Sequence, residues 1–249
     1  MSSCNICNEP LVLRLDDDAD DDDTETARTV PDDLELGCGC HFHWECLMEE
    51  APSLVESLKC PSCDTYLPKD EASASSANQS CDAPPPAILA QYTNEGGVQK
   101  DLDIMDSITE EAHVQKHPEV RPARALHIMC TEGDITGLIE LLRVASDQGM
   151  DIGNIIRYQD PLAGMQSGLH LAVENQREEI VWALLWLSSA VSTDVFPGMV
   201  RETAERVGLG RLNVDASGDI RCLKDAQDRL AGTIAQQNPG IAANYGLDA

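Results

Sequence analysis

Four close pairs of potential metal ligands crowd the first 63 residues and constrain this chain more than anything else in it: Cys4 with Cys7, Cys38 with Cys40, His43 with Cys46, and Cys60 with Cys63. A pair two residues apart can place both side chains on one ion from a tight knuckle, and two pairs complete a closed tetrahedral site. Eight ligands therefore predict two structural zinc ions. Ten cysteines in the whole chain would be unusual as disulfides in a reducing compartment, where paired spacings point to metal instead.

Composition narrows the partners. Lys and Arg number 17 against 44 Asp and Glu, a formal charge of -27. A chain this acidic repels a phosphate backbone unless one face is basic, and no basic cluster is present, so nucleic acid is not expected as a partner. No stretch approaches the ~18 apolar residues of a membrane span, and MSSCNICNEP lacks the basic and apolar regions of a secretory signal. The expected protein is soluble and intracellular, in cytoplasm, nucleus or both, with no membrane partner.

The order of the pairs resembles a RING finger, in which the first and third pairs share one zinc and the second and fourth share the other. Carried over by position, the resemblance implies one site of Cys4, Cys7, His43 and Cys46 and another of Cys38, Cys40, Cys60 and Cys63. Ile6 in the first knuckle and Pro61 in the last also fit the family. RING fingers with His at the fifth ligand mostly have His at the fourth. Here Cys40 stands there with His41 beside it; Cys40 keeps the spacing, and His41 is the rival ligand. A short central helix is expected from Phe42 to Leu58, beginning near His43 and interrupted at Pro52.

The resemblance implies a ubiquitin ligase that binds a charged ubiquitin-conjugating enzyme and needs no protein nucleophile, so no catalytic residue is expected. With every coordination position filled by a side chain, an activated water has no place on the metal. By motif position the docking residues are Ile6 and Pro61, with Leu54, or else Leu47, from the central helix. Asp64 stands where the family often has a basic residue that contacts ubiquitin. The alternative is a noncatalytic zinc-dependent adaptor joining two proteins.

Asp16 to Asp18 and Asp20 to Asp23 form a block of like charge, so residues 14-33 read as a disordered acidic insertion in a zinc module of residues 1-68. Residues 71-87, with Ser, Ala and a proline triplet, read as linker, and the boundary region is set at 69-100. Leu102, Met105, Ile108 and Ala112 recur at helical spacing, predicting an amphipathic helix that caps the C-terminal domain.

From Arg124 onward the chain repeats itself at a shift of 43 residues: Leu126 matches Leu169, His127 matches His170, Leu141 matches Leu184 and Leu142 matches Leu185. ALHIMCTEGDITGLIELL and GLHLAVENQREEIVWALL resemble ankyrin repeats, with a third, weaker copy at 228-236 and an inserted helix near Val200 to Val207. The ankyrin period of ~33 residues means that about ten extra residues loop out between Val144 and Gln166. The resemblance implies an all-helical stack over 101-249 that recruits a protein substrate. The expected fold is thus a small α+β zinc cross-brace followed by an all-α repeat stack.

Other features have plain readings. Cys81, Cys130 and Cys222 are ordinary thiols, and His113 with His117 has no third ligand. His127 and His170 serve turn hydrogen bonds, and Trp182 with Trp186 belongs to a core. The aspartate run lacks the spacing and glycine of a calcium loop.

Overall fold

The computed structural model describes residues 3-15, 29-68, 86-208, 210-214 and 218-237. The chain divides into two compact units, Met1–His117 and Pro118–Ala249. No helix among the described residues is long and apolar enough to cross a membrane. The aspartate run at 16-23, most of the Ser/Ala/Pro segment and Cys81 lie outside the described residues.

In the first unit, β1 (Val12–Arg14) pairs antiparallel with β2 (Thr29–Pro31). Strand β3 (Asp33–Leu36) alternates strictly, with Leu34 and Leu36 buried and Asp33 and Glu35 toward solvent, the period that lets a strand bury one face. It turns through Gly39 (φ 83°) into β4 (His41–Phe42). Residues 29-33 thus lie in ordered backbone rather than in the acidic insertion expected over 14-33.

Helix α1 (Trp44–Glu49) and helix α2 (Ala51–Ser57) break at Glu50 rather than at Pro52. Pro52 sits in the first turn of α2, where its missing N–H removes no helical bond.

The boundary expected at 69-100 falls elsewhere. Strands β5 (Leu89–Asn94) and β6 (Gly97–Asp103) form a hairpin across Glu95 and Gly96, and β5 pairs with β3 to give a four-stranded antiparallel sheet in the order β4-β3-β5-β6. Helix α3 (Met105–Lys116) packs on α1 and α2. Ile88, Ile104 and Ile108 join Leu34, Leu36, Phe42, Leu47 and Leu54 in one core. The predicted amphipathic helix therefore exists but completes the zinc-ligand unit, because its apolar stripe is the cover that unit's sheet and helices need.

The second unit is built from helix pairs. Helix α4 (Arg121–Glu132) ends at Gly133 in the left-handed region, and Asp134 caps α5 (Ile135–Asp147) by accepting from Gly137 N–H. The stretch expected to loop out holds α6 (Ile152–Arg157), with Ile155 and Ile156 buried. A two-rung hairpin of β7 (Gln159–Asp160) and β8 (Gln166–Ser167) comes after it. Helix α7 (Gly168–Glu174) and helix α8 (Glu178–Ser188) repeat the α4/α5 pair. Helix α9 (Gly198–Val207) lies where an inserted helix is expected, and α10 (Ala231–Gln237) lies in the stretch expected to hold a weak third copy. Helix α7 packs against both α4 and α10.

His127 and His170 are both buried, each against a backbone carbonyl. His127 Nε2 lies 3.2 Å from the Tyr158 carbonyl and His170 Nε2 lies 3.1 Å from that of Arg229. His170 Nδ1 also accepts from the Ser167 N–H at 3.3 Å, closing a capping box at the start of α7. Burial lowers both histidines below their ordinary value of 6.5, since charging them inside the helices forfeits hydration. The unfolded chain then binds more protons below pH 6.5 than the folded one, so stability is complete above that value and is lost as pH falls through it. The urea midpoint of this unit, followed by circular dichroism, is expected to drop between pH 7 and pH 5; a flat or rising midpoint would contradict that account.

Candidate metal centre

The eight ligands come together as two groups of four, Cys4, Cys7, His43 and Cys46, and Cys38, Cys40, Cys60 and Cys63, each with its donor atoms within 4.8 Å of one another. Pairs one and three share a group, as do pairs two and four, so the two sites interleave along the chain. His41 is outside both groups: its Nδ1 lies 2.8 Å from Asp33 Oδ1 on the neighbouring strand, and Cys40 takes the fourth position.

The outer knuckles share one backbone pattern. Cys4 N–H donates to the Glu9 carbonyl and Asn8 N–H to that of Cys4, both at 2.9 Å. Cys60 N–H donates to Thr65 at 2.9 Å and Asp64 N–H to Cys60 at 3.0 Å, five and four positions on as before. Each turn closes through a left-handed residue, Asn8 at φ 64° and Asp64 at φ 61°. Asparagine and aspartate tolerate that region better than other non-glycine residues, which gives Asp64 a conformational reason to be there. The Asn5 side-chain amide donates to Ser62 Oγ at 3.0 Å, tying the two knuckles together.

Strand β4 and the start of α1 supply the middle of the arrangement. His43 immediately precedes α1, with Nε2 2.9 Å from the Pro10 carbonyl and Nδ1 3.3 Å from Cys7 Sγ and 3.7 Å from Cys46 Sγ. Only an N–H can bond a carbonyl, so Nε2 carries the proton and the Nδ1 lone pair faces the sulfurs, as a metal ligand requires.

The sulfurs hold their protons unevenly. Burial would raise Cys4, but N–H bonds from Cys7, His43 and Ile6 outweigh it and bring the thiol down to about 6. Burial and then the neighbouring sulfurs push Cys46 up to about 12, and burial drives Cys38 to about 12 as well. The side chain and backbone of Thr65 lower Cys63 to about 6. Burial raises Cys40 as well, so each group sets a thiol that ionises readily against one or two that are raised, and a cation that offsets the crowded negative charge would release protons on binding. Three sulfurs with an imidazole, and four sulfurs, are donor sets that suit zinc in closed sites.

Of the expected docking residues, Pro61 is exposed and Ile6 half-buried on the tied knuckles. Leu54 is corrected: at 1% exposure it lies inside the core, as does Leu47 at 0%, because the side of the helix pair they occupy faces the sheet and α3. Asp32 escapes the sequence reading, since it sits in an acidic stretch that reads as loop, and it is 1% exposed. Its carboxylate accepts from the Tyr92 hydroxyl at 2.9 Å and from Trp44 N–H at 3.3 Å. Among the described residues the two cysteine-rich groups are those able to hold a metal; His113 and His117, with rings 5.1 Å apart on α3, gather no third ligand. Cys130 is a buried thiol pushed up to about 12 by desolvation.

No protein-family model, curated protein or solved structure matches this chain.

Proposed function

We propose that the protein is a RING-type ubiquitin-protein ligase. In this reading the zinc module receives a ubiquitin-conjugating enzyme on the face carrying Ile6 and Pro61, and ankyrin-like repeats in the second unit recruit the protein substrate. The observation that carries it is the interleaving of the ligand groups, first pair with third and second with fourth, together with the Asn5 to Ser62 bond that sets the two outer knuckles side by side. Such an arrangement positions a partner's thioester without supplying a nucleophile. The repeat reading is supported by paired helices at the 43-residue shift, with a buried Leu-His pair in each first helix, midway along α4 and at the start of α7, and by the packing of α7 against both α4 and α10.

A second reading, a zinc-dependent adaptor without transferase activity, is favoured by Asp64. An exposed carboxylate stands where the ligase reading would prefer a cation toward ubiquitin.

Full-length protein mixed with activating enzyme, ubiquitin, ATP and a panel of conjugating enzymes is expected to build ubiquitin chains. Ile6→Ala should cut the rate about tenfold or more, the effect of losing an anchor at an interface centre, with two zinc ions per chain retained. A chain that holds two zinc ions and forms no conjugates across the panel is an adaptor. Conjugates that persist undiminished in Cys60→Ser would remove the RING account altogether.

A further inference from the structure

We propose that Asp32 and Tyr92 form a clamp behind the first metal group that sets how tightly Cys4, Cys7, His43 and Cys46 hold their ion. The inference concerns metal affinity and stands whether or not the chain transfers ubiquitin.

The geometry centres on His43, the one nitrogen donor among the eight. Two chain segments hold it: Pro10, whose carbonyl lies 2.9 Å from Nε2, and the first turn of α1, which begins at Trp44. Asp32 is hydrogen-bonded beside both. Its backbone N–H donates to the Leu11 carbonyl at 3.1 Å, next to Pro10 in the chain, and its carboxylate receives the Trp44 N–H at 3.3 Å. No side chain at the N-cap position of α1 makes that bond, since His43 occupies it with its ring committed elsewhere. Asp32 therefore serves as the cap from the link between β2 and β3 and fixes the direction from which the imidazole enters the site.

Tyr92 fixes Asp32 in turn. It lies on β5, directly opposite Leu34 in the register, and its hydroxyl donates to the Asp32 carboxylate at 2.9 Å. Its ring sits 5.1 Å from that of Trp44. A carboxylate at 1% exposure costs a great deal unless its charge is offset. Two hydrogen bonds meet part of that cost. They hold only while the Tyr92 hydroxyl and the Trp44 N–H stay in place, so the carboxylate keeps the start of α1, and the imidazole that precedes it, in one arrangement. Groups hydrogen-bonded to a ligating histidine typically change metal affinity by about 10- to 100-fold when removed, and Asp32, one bond further out through Trp44 and Leu11, is expected at the lower end of that range.

The test is a cobalt titration of the full chain, in which three sulfurs with one nitrogen and four sulfurs give different absorption bands, followed by zinc competition against a chromophoric chelator. Tyr92→Phe removes a single hydroxyl and keeps the ring against Trp44. It is expected to weaken the three-sulfur site about tenfold while leaving the four-sulfur site within about twofold. Asp32→Ala removes the oxygen that accepts from both Tyr92 and Trp44, and is expected to weaken the same site by at least as much. Unchanged affinity at the three-sulfur site in both variants overturns the clamp. Equal weakening of both sites also overturns it, because that is the signature of a general loss of stability.

Discussion

Stripping the metal from the full chain with a strong chelator is expected to unfold Met1–His117 while the helices from Arg121 to Gln237 persist. The elements of the first unit cannot stand alone: α1 has six residues, α2 seven and β4 two, all below what local propensity sustains in water. What joins them is the pair of ligand groups, each drawing on segments more than thirty positions apart or, in the second case, on the turn before β4 and the knuckle after α2. Structural zinc in small domains supplies on the order of 10-16 kcal/mol, comparable to the whole stability of a typical domain. The β5-β6 hairpin and α3 enlarge the core beyond that of a bare knuckle module, yet their contacts are with β3, α1 and α2, which a bound metal would hold in place. Hydrogen exchange before and after chelation reads the result: protection is lost from the strands and helices β1 to β6 and α1 to α3 and kept in the helices α4 to α10. Cys60→Ser, which breaks only the four-sulfur group, should lower the zinc content to one ion per chain or fewer and raise exchange most in α2 and the last knuckle. Retained protection across β3, β5 and α3 after chelation would mean that the apolar core, rather than metal, organises the unit.

The ligand groups are legible in the sequence because a metal demands donor types at fixed spacing, and no other physical requirement produces four such pairs in 63 residues. The extension from Ile88 to Lys116 is not. Its strands alternate only locally, and the Ser, Ala and Pro residues just before it resemble a boundary, so composition points to a division that the apolar contacts of Ile88, Ile104 and Ile108 place after His117. Leu54 comes from motif position, which says nothing about which side of a seven-residue helix faces the core. The segment of α6 reads as loop because six residues carry too little periodicity to show a helix, though two adjacent isoleucines are buried there. Asp32 illustrates the general difficulty: an aspartate among aspartates looks solvated, and only tertiary structure shows that a tyrosine hydroxyl and a helix N–H meet it.

Leu169→Ala is expected to lower the stability of the second unit by about 3-5 kcal/mol, the upper part of the range for deleting a fully buried leucine side chain. Leu169 is 0% exposed in α7, the helix that packs against α4 on one side and α10 on the other, so a cavity there touches both neighbours. Collapse is hindered on every side. Gly168 already brings α7 so close to α4 that a Cβ in its place would lie 2.9 Å from Leu126 Cδ2 and 3.0 Å from Cys130 Sγ, leaving little freedom for the helices to slide together. The His170 bonds to Ser167 and Arg229 pin the same turn from its other face. A unit of this size shifts its midpoint by a few degrees per kcal/mol, so thermal unfolding should occur about 10 °C or more below the parent chain. Zinc content and metal-dependent protection in Met1–His117 should stay unchanged, because the cores on either side of His117 share no residue. Leu126→Ala, the matching position in α4, should cost a comparable amount, since Leu126 is also 0% exposed and α4 packs against α5, α6 and α7. A loss below about 1 kcal/mol at either position would mean that the α4–α7 contact does not hold the unit together, and would count against reading it as an ankyrin-like array.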